Sequence, residues 1–152
     1  MKKPKKFKDW RMRLQSFLWS RLWVPFKWQD NDCCTFACDG IKEMTGYDPG
    51  KWFRGKYITR FGAYKAIKEF SGGSFKDLAE KMAADMGAVE TQNPKFGDIA
   101  LVRIQNIDQR AAKLSGGMTM GIVCNNGLVA VPGKDGMVLN PQAEIVKAWT
   151  EP

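Results

Sequence analysis

Pro94 divides the sequence into two parts whose apolar residues recur with different periods, and this change limits the fold more than any other feature. Ahead of it, Trp10, Leu14, Phe17, Leu18 and Leu22 fall at helical spacing, and the pattern predicts a helix over about 9–23. Pro25 ends it by disfavouring the helical conformation at Val24. Phe26 to Asp30 reads as an extended connection. Three more helices are expected over roughly 33–45, 60–70 and 75–86, each closed by glycine at Gly46, Gly72-Gly73 and Gly87. Asn31 or Asp32 can cap the first of these three, and Ser74 with Asp77 has the form of a capping box before the last.

Behind Pro94 the pattern is that of strands. Pro94-Lys95-Phe96-Gly97-Asp98 is a turn, 99–104 is rich in β-branched residues, and 119–124, 128–132 and 137–139 are short apolar runs. Asn125-Asn126-Gly127 and Gly133-Lys134-Asp135-Gly136 are good hairpin connections because Asn and Gly accept positive φ. Helices followed by antiparallel strands specify an α+β fold, with the N-terminal helices packed on a small antiparallel sheet. A short closing helix or an extended tail is expected near Trp149. A chain of 152 residues suits one core.

Charge is distributed unevenly. The formal net charge is +8, and residues 1–27 hold nine Lys or Arg against Asp9 alone, so the rest of the chain is neutral. The expected organisation is a basic disordered arm over 1–8, which contains Pro4, followed by a single domain over 9–152. An arm of this kind suits phosphate, anionic lipid or an acidic protein face, and a merely solvated tail is the alternative. Met12, Trp19 and Trp23 widen the apolar face of the first helix, for which packing onto the domain, docking onto a neighbour and lying at a membrane interface are the three roles. Trp10, Trp19, Arg21 and Trp23 are the candidate partner contacts, since aromatic residues and Arg tend to dominate interface energy. No run approaches the roughly 20 apolar residues of a spanning helix, and the basic start lacks the uninterrupted apolar stretch and cleavage site of a signal peptide. Synthesis in a reducing cytoplasm is the expectation.

Three of the four cysteines, Cys33, Cys34 and Cys38, lie within six residues, poor spacing for stapling distant segments, so reduced thiols are expected. Cys33 falls in the first turn of its helix, where the macrodipole and unpaired amides favour a nucleophilic thiolate. Asp32 beside it opposes this by like-charge repulsion. The alternative is a cysteine used as a small buried hydrophobe. Cys34 and Cys38, four apart, share a helix face and could bind a metal with help from Cys124, but the spacing is not a familiar ligand pattern. Strand alternation adds an objection: 119, 121 and 123 face one way and 120, 122 and 124 the other, so a Thr119 that faces Cys33 turns Cys124 away. Neither a metal, a cofactor nor a small-molecule ligand is expected.

Asp32-Cys33 opening a helix, Gly97-Asp98 entering a strand and Gly121-Ile122-Val123 before a hairpin together resemble the NlpC-type papain-like cell-wall peptidases. More closely, Trp28 to Cys34 with Phe36, Thr45-Gly46-Tyr47-Asp48-Pro49, Phe53-Arg54-Gly55-Lys56-Tyr57 and Pro132-Gly133-Lys134-Asp135-Gly136 resemble a phage-encoded branch found among tail-module proteins, over roughly residues 8–150. The resemblance implies a papain-like fold with Cys33 as the nucleophile and a histidine base on the strand that here reads Thr119-Met120-Gly121-Ile122. Thr119 stands at the histidine's place, the segment of the third polar group maps to the apolar residues 129–131, and the chain contains no histidine. A threonine hydroxyl cannot accept and return a proton near neutral pH. The resemblance therefore implies an inactive scaffold serving as a structural or assembly part of a phage tail tip or baseplate, located in the virion and contacting other tail proteins. A cysteine endopeptidase or peptidoglycan hydrolase that uses Cys33 with an unconventional or partner-supplied base is the alternative.

Overall fold

The computed structural model describes residues 3–103 and 117–151; Ile104, assigned from sequence to a strand, and residues 1–2 of the arm lie outside the described residues. Four helices come first: α1 (Trp10–Arg21), α2 (Cys33–Thr45), α3 (Arg60–Ser71) and α4 (Phe75–Met86). Strands β1 (Val89–Glu90), β2 (Ile99–Arg103), β3 (Met118–Val123), β4 (Val129–Gly133), β5 (Gly136–Asn140) and β6 (Ile145–Thr150) follow, and a short 3-10 turn, Gln142–Glu144, precedes β6. The fold is α+β, with the helices on a six-stranded sheet whose paired strands are all antiparallel.

Local chemistry sets the element ends. Gly46, Gly72 and Gly87 sit at positive φ behind α2, α3 and α4, where a side chain would be strained. The Ser74 hydroxyl accepts the Asp77 N–H at 3.2 Å while Asp77 accepts the Ser74 N–H at 2.9 Å, the reciprocal pair foreseen from sequence. At α2 the cap is Asp32; Asn31 instead donates its amide to the Val24 and Pro25 carbonyls, holding the connection from α1.

The closing segment departs from expectation. It is neither helix nor tail but β6, an interior strand in the order β1-β6-β2-β3-β4-β5. Ile99 pairs with Trp149, Ala100 with Ala148 and Leu101 with Lys147, so segments some fifty residues apart lie side by side inside the sheet. Its side chains obey the pleat: Trp149 enters the helix-facing core, and Ala148 joins Ala100, Val102, Val123, Val129 and Val131 on the opposite face. Lys147 reaches Glu80 of α4 at 2.7 Å.

The main core lies between helices and sheet, where Phe36, Met44, Leu78, Met86, Leu101, Met120 and Ile122 are fully buried. Helix α1 commits Leu14, Phe17 and Leu18 to it. At about 100° per residue, Met12 and Trp19 lie on the opposite side of that helix, and Trp23 lies just past its end. Of the three roles for these residues, packing onto the domain is therefore not the one they fill: they are 70, 73 and 82% exposed.

The basic arm is also not loose over the residues described. The Phe7 N–H donates to the Met44 carbonyl at 2.8 Å, Lys6 lies 3.5 Å from Glu151, and the Lys3 ammonium meets the Ala84 and Asp85 carbonyls at the end of α4. Composition suggests disorder for so many lysines; two carbonyl-rich helix ends and a buried carboxylate supply the sites that hold them.

Candidate functional site

The mouth of α2 is built around Asp32, which is buried. One carboxylate oxygen accepts the Thr35 N–H at 2.9 Å, while the Thr35 hydroxyl accepts the Asp32 N–H at 2.9 Å. The other oxygen accepts the Gln29 N–H at 2.9 Å and the Tyr57 hydroxyl at 2.5 Å. Gln29 has φ 72°, the one positive value at a non-glycine among the described residues, and its amide donates to the Phe53 and Tyr57 carbonyls at 3.3 and 3.2 Å. Those bonds offset the cost of that backbone conformation, of order 1–3 kcal/mol. The result is a rigid entry that places Cys33 at the first position of the helix.

From there the half-buried Cys33 sulfur meets strand β3. The β3–β4 ladder begins only at Ile122, so the preceding stretch of β3 is not paired with β4, and the Met120 N–H is directed at the sulfur. Thr119, whose hydroxyl donates to the Met120 carbonyl at 3.4 Å, and the Cys34 thiol lie near enough to act on it as well. Thr119, set from the resemblance at the place of a histidine base, is among the groups that act on the Cys33 thiol.

These donors decide the acidity of the thiol. The Cys34 bond lowers the Cys33 pKa most, burial and the Asp32 charge raise it, and Met120 and Thr119 lower it further; the net result is below the ordinary thiol value. The repulsion from Asp32 foreseen from sequence is real and is outweighed. Cys34 moves the other way, well above the usual range, because it is the donor of that bond and is buried. Tyr57 is raised too, by burial first and then by neighbouring negative charge, and so remains a phenol donating to Asp32.

Chemically the arrangement can hold a thiolate, and among the described residues no free proton acceptor lies beside the sulfur. Asp32, the neighbouring carboxylate, is saturated by its donors, Thr119 has no acid-base capacity near neutrality, and 129–131 are buried apolar residues of β4. The other cysteines do not gather around Cys33 as ligands. Cys34 and Cys38 are buried in the core, with Cys38 raised well above the ordinary thiol range mainly by burial, and the Cys124 thiol donates to the Ile122 carbonyl at 3.9 Å. Among the described residues no group of three or more Cys, Asp or Glu side chains is placed to hold a metal ion.

The partner candidates separate into two pairs. Trp19 and Trp23 are open to solvent. Trp10 packs on Phe96, with Lys6 and Arg11 over its ring, and Arg21 donates to Asn31 at 2.8 Å and Asp39 at 2.7 Å. Asp39 also accepts from Arg54 at 2.5 Å, and Arg54 in turn binds Asp48 at 2.7 Å. This charged network ties α1, α2 and the 48–57 loop together behind the site. Sequence reasoning gave it no role, nor Gln29 and Tyr57; the signals were the blocks Trp28 to Cys34, Thr45-Gly46-Tyr47-Asp48-Pro49 and Phe53-Arg54-Gly55-Lys56-Tyr57, which carry Gln29, Asp48, Arg54 and Tyr57.

A comparison with curated proteins finds no match. The model of one family, described as a domain of unknown function (DUF6950), matches residues 5–151, which covers the second half of the arm, the Cys33 site and the whole sheet, and the chain belongs to that family.

Proposed function

We propose that this protein is a non-hydrolytic member of the NlpC-type papain-like group that serves as an assembly or docking component of a phage tail tip or baseplate. One observation carries the loss of hydrolysis: a threonine, not an imidazole, lies near the Cys33 sulfur, in a chain that has no histidine. Loss of a triad base commonly costs several orders of magnitude in rate. The helix that opens with Asp32-Cys33 and packs on an antiparallel sheet supports the papain-like reading. Met12, Trp19 and Trp23, exposed along the outer side of α1, support the docking reading, because soluble monomers seldom expose large aromatic residues in groups. The virion and its other tail proteins are then the place and the partners.

The test is incorporation of a Trp19→Ser, Trp23→Ser double variant into purified tails. Deleting 1–23 is unsuitable, since that segment supplies Leu14, Phe17 and Leu18 to the core. Loss of incorporation by a folded variant is the expected result; normal incorporation removes this surface from the assembly role.

A second reading, a cysteine hydrolase whose base comes from a partner, is favoured by the lowered Cys33 pKa. Turnover of cell-wall muropeptides that vanishes with Cys33→Ser would establish it.

A further inference from the structure

Ile58 and Phe61, at the entry to α3, are 80 and 77% exposed. A residue placed like Ile58, just ahead of the cap Thr59, ordinarily packs on the fourth residue of the helix. Here that residue is Ala63, which is buried in the core while Ile58 stands in solvent. At about 100° per residue, Tyr64, Lys65 and Lys68 fall within about 60° of Phe61 on the helix, opposite the buried Ala63, Ala66 and Ile67. The Thr59 hydroxyl accepts the Gly62 N–H at 3.1 Å, which fixes the start of this face.

The same surface is positive. The chain beyond residue 27 sums to neutral, yet no acidic residue occurs between Lys51 and Lys68, and Lys51, Lys56, Lys65 and Lys68 are all exposed. Lys56 and Lys65 also line a cleft of about 500 Å³, into which the stacked rings of Trp52 and Phe70, 3.5 Å apart, present a rigid apolar wall. Glu69 is the one acid that lines it.

We propose that α3 lays this face on an anionic phospholipid surface, with Ile58 and Phe61 entering the acyl boundary and Lys56, Lys65 and Lys68 meeting lipid phosphates. The residue types select lipid over other acidic partners. Lysine is depleted from protein interfaces, where Arg and aromatic residues lead, but is the common cation at lipid headgroups. Ile58 has no ring to stack on a base, so a nucleic acid would leave it in water. Tyr64, 38% exposed with the Lys68 ammonium 4.7 Å from its ring centre, has the amphipathic ring that settles at headgroup level. The cleft leaves room for a headgroup beside Lys56 and Lys65. At 12 residues α3 is too short to cross a bilayer and lies in its surface. This face is distinct from Trp19 and Trp23 of α1, so its failure leaves the assembly reading standing.

The experiment is co-sedimentation of the full chain with vesicles of phosphatidylcholine containing one-third phosphatidylglycerol, and with phosphatidylcholine alone. The expected result is binding to the mixed vesicles that fades as salt is raised toward 1 M, where the Debye length is about 3 Å. Lys65→Gln with Lys68→Gln should weaken it about thirtyfold, at about fivefold for each lysine. Ile58→Ser with Phe61→Ser should weaken it about tenfold or more. All four side chains are exposed, so both variants should unfold at the temperature of the parent. On the unaltered protein, a nitroxide-labelled phospholipid in nanodiscs of the mixed lipid should broaden the Ile58 and Phe61 resonances before those of the core. Absence of binding to the mixed vesicles, equal binding to the neutral ones, variants that bind like the parent and so move the contact to the arm or α1, unbroadened Ile58 and Phe61, or polyglutamate or an oligonucleotide held by α3 in place of vesicles would each overturn the proposal.

Discussion

Thr119 lies close enough to Cys33 to lower the pKa of its thiol, at the junction between the mouth of α2 and the start of β3, which pairs with β2 and not yet with β4. That neighbour gives the thiol a stabilising group in the position where a peptidase needs a base, and it makes the acidity of Cys33 a measurable property of the fold. Iodoacetamide labelling read by mass spectrometry should modify Cys33 before the three buried thiols. The midpoint of its pH-rate profile should move up in Cys34→Ala and in Thr119→Val, which each delete a group that lowers it, and down in Asp32→Asn, which deletes the opposing charge. An unchanged midpoint in Cys34→Ala contradicts the assignment of the main cause.

Thr119→His should restore an imidazole at the sulfur. The expected outcome is a thiol reactivity profile that gains a titration step in the range of histidine, about pH 6–7, absent in the parent. A profile without that step means the side chain at 119 does not reach Cys33.

Gly121 is a packing constraint behind the site. A Cβ there would lie 2.6 Å from the Ala130 carbonyl and 2.7 Å from methyl groups of Val129 and Val131, and a backbone oxygen in a sheet cannot move aside. Gly121→Ala should cost about 2 kcal/mol by overpacking. Urea denaturation checks it, and a cost under about 0.5 kcal/mol, the usual size for a harmless surface change, would show that β4 yields.

Asp39 holds two arginines at once, Arg21 at 2.7 Å and Arg54 at 2.5 Å, with 19% of its side chain exposed. Asp39→Asn leaves both guanidinium groups short of a charge partner, though Arg54 keeps Asp48. A destabilisation of about 2 kcal/mol is expected, below the range for a fully buried pair because water screens part of the network. Equal stability of the parent and variant in urea would show the network to be a surface ornament.

Trp10 and Trp19 lie on opposite sides of α1 and should respond oppositely. Trp10→Ala removes the ring over Gly97 and Phe96 and should lower stability by about 2–3 kcal/mol, whereas Trp19→Ser should stay within about 0.5 kcal/mol of the parent. Thermal unfolding of the two variants separates them.

The sequence by itself determined whatever depends on neighbours along the chain. The glycine stops at Gly46, Gly72 and Gly87, the Ser74 and Asp77 box, the cap ahead of Cys33 and the hairpins at Gly127 and Gly136 are all local stereochemistry, and each occurs where the residues put it. Absence of histidine is equally a property of composition. Only tertiary structure decided the rest, because it depends on residues distant in the chain. The segment near Trp149 reads as a short closing helix or an extended tail and becomes an interior strand through its pairing with β2. Met12, Trp19 and Trp23 look like a widened core face until the packing of Leu14, Phe17 and Leu18 turns them outward. The lysines of the arm look solvated until Glu151 and two helix ends come within their reach, and the Cys33 thiol, made more acidic chiefly by the adjacent Cys34, is helped by an amide of β3 more than eighty residues away.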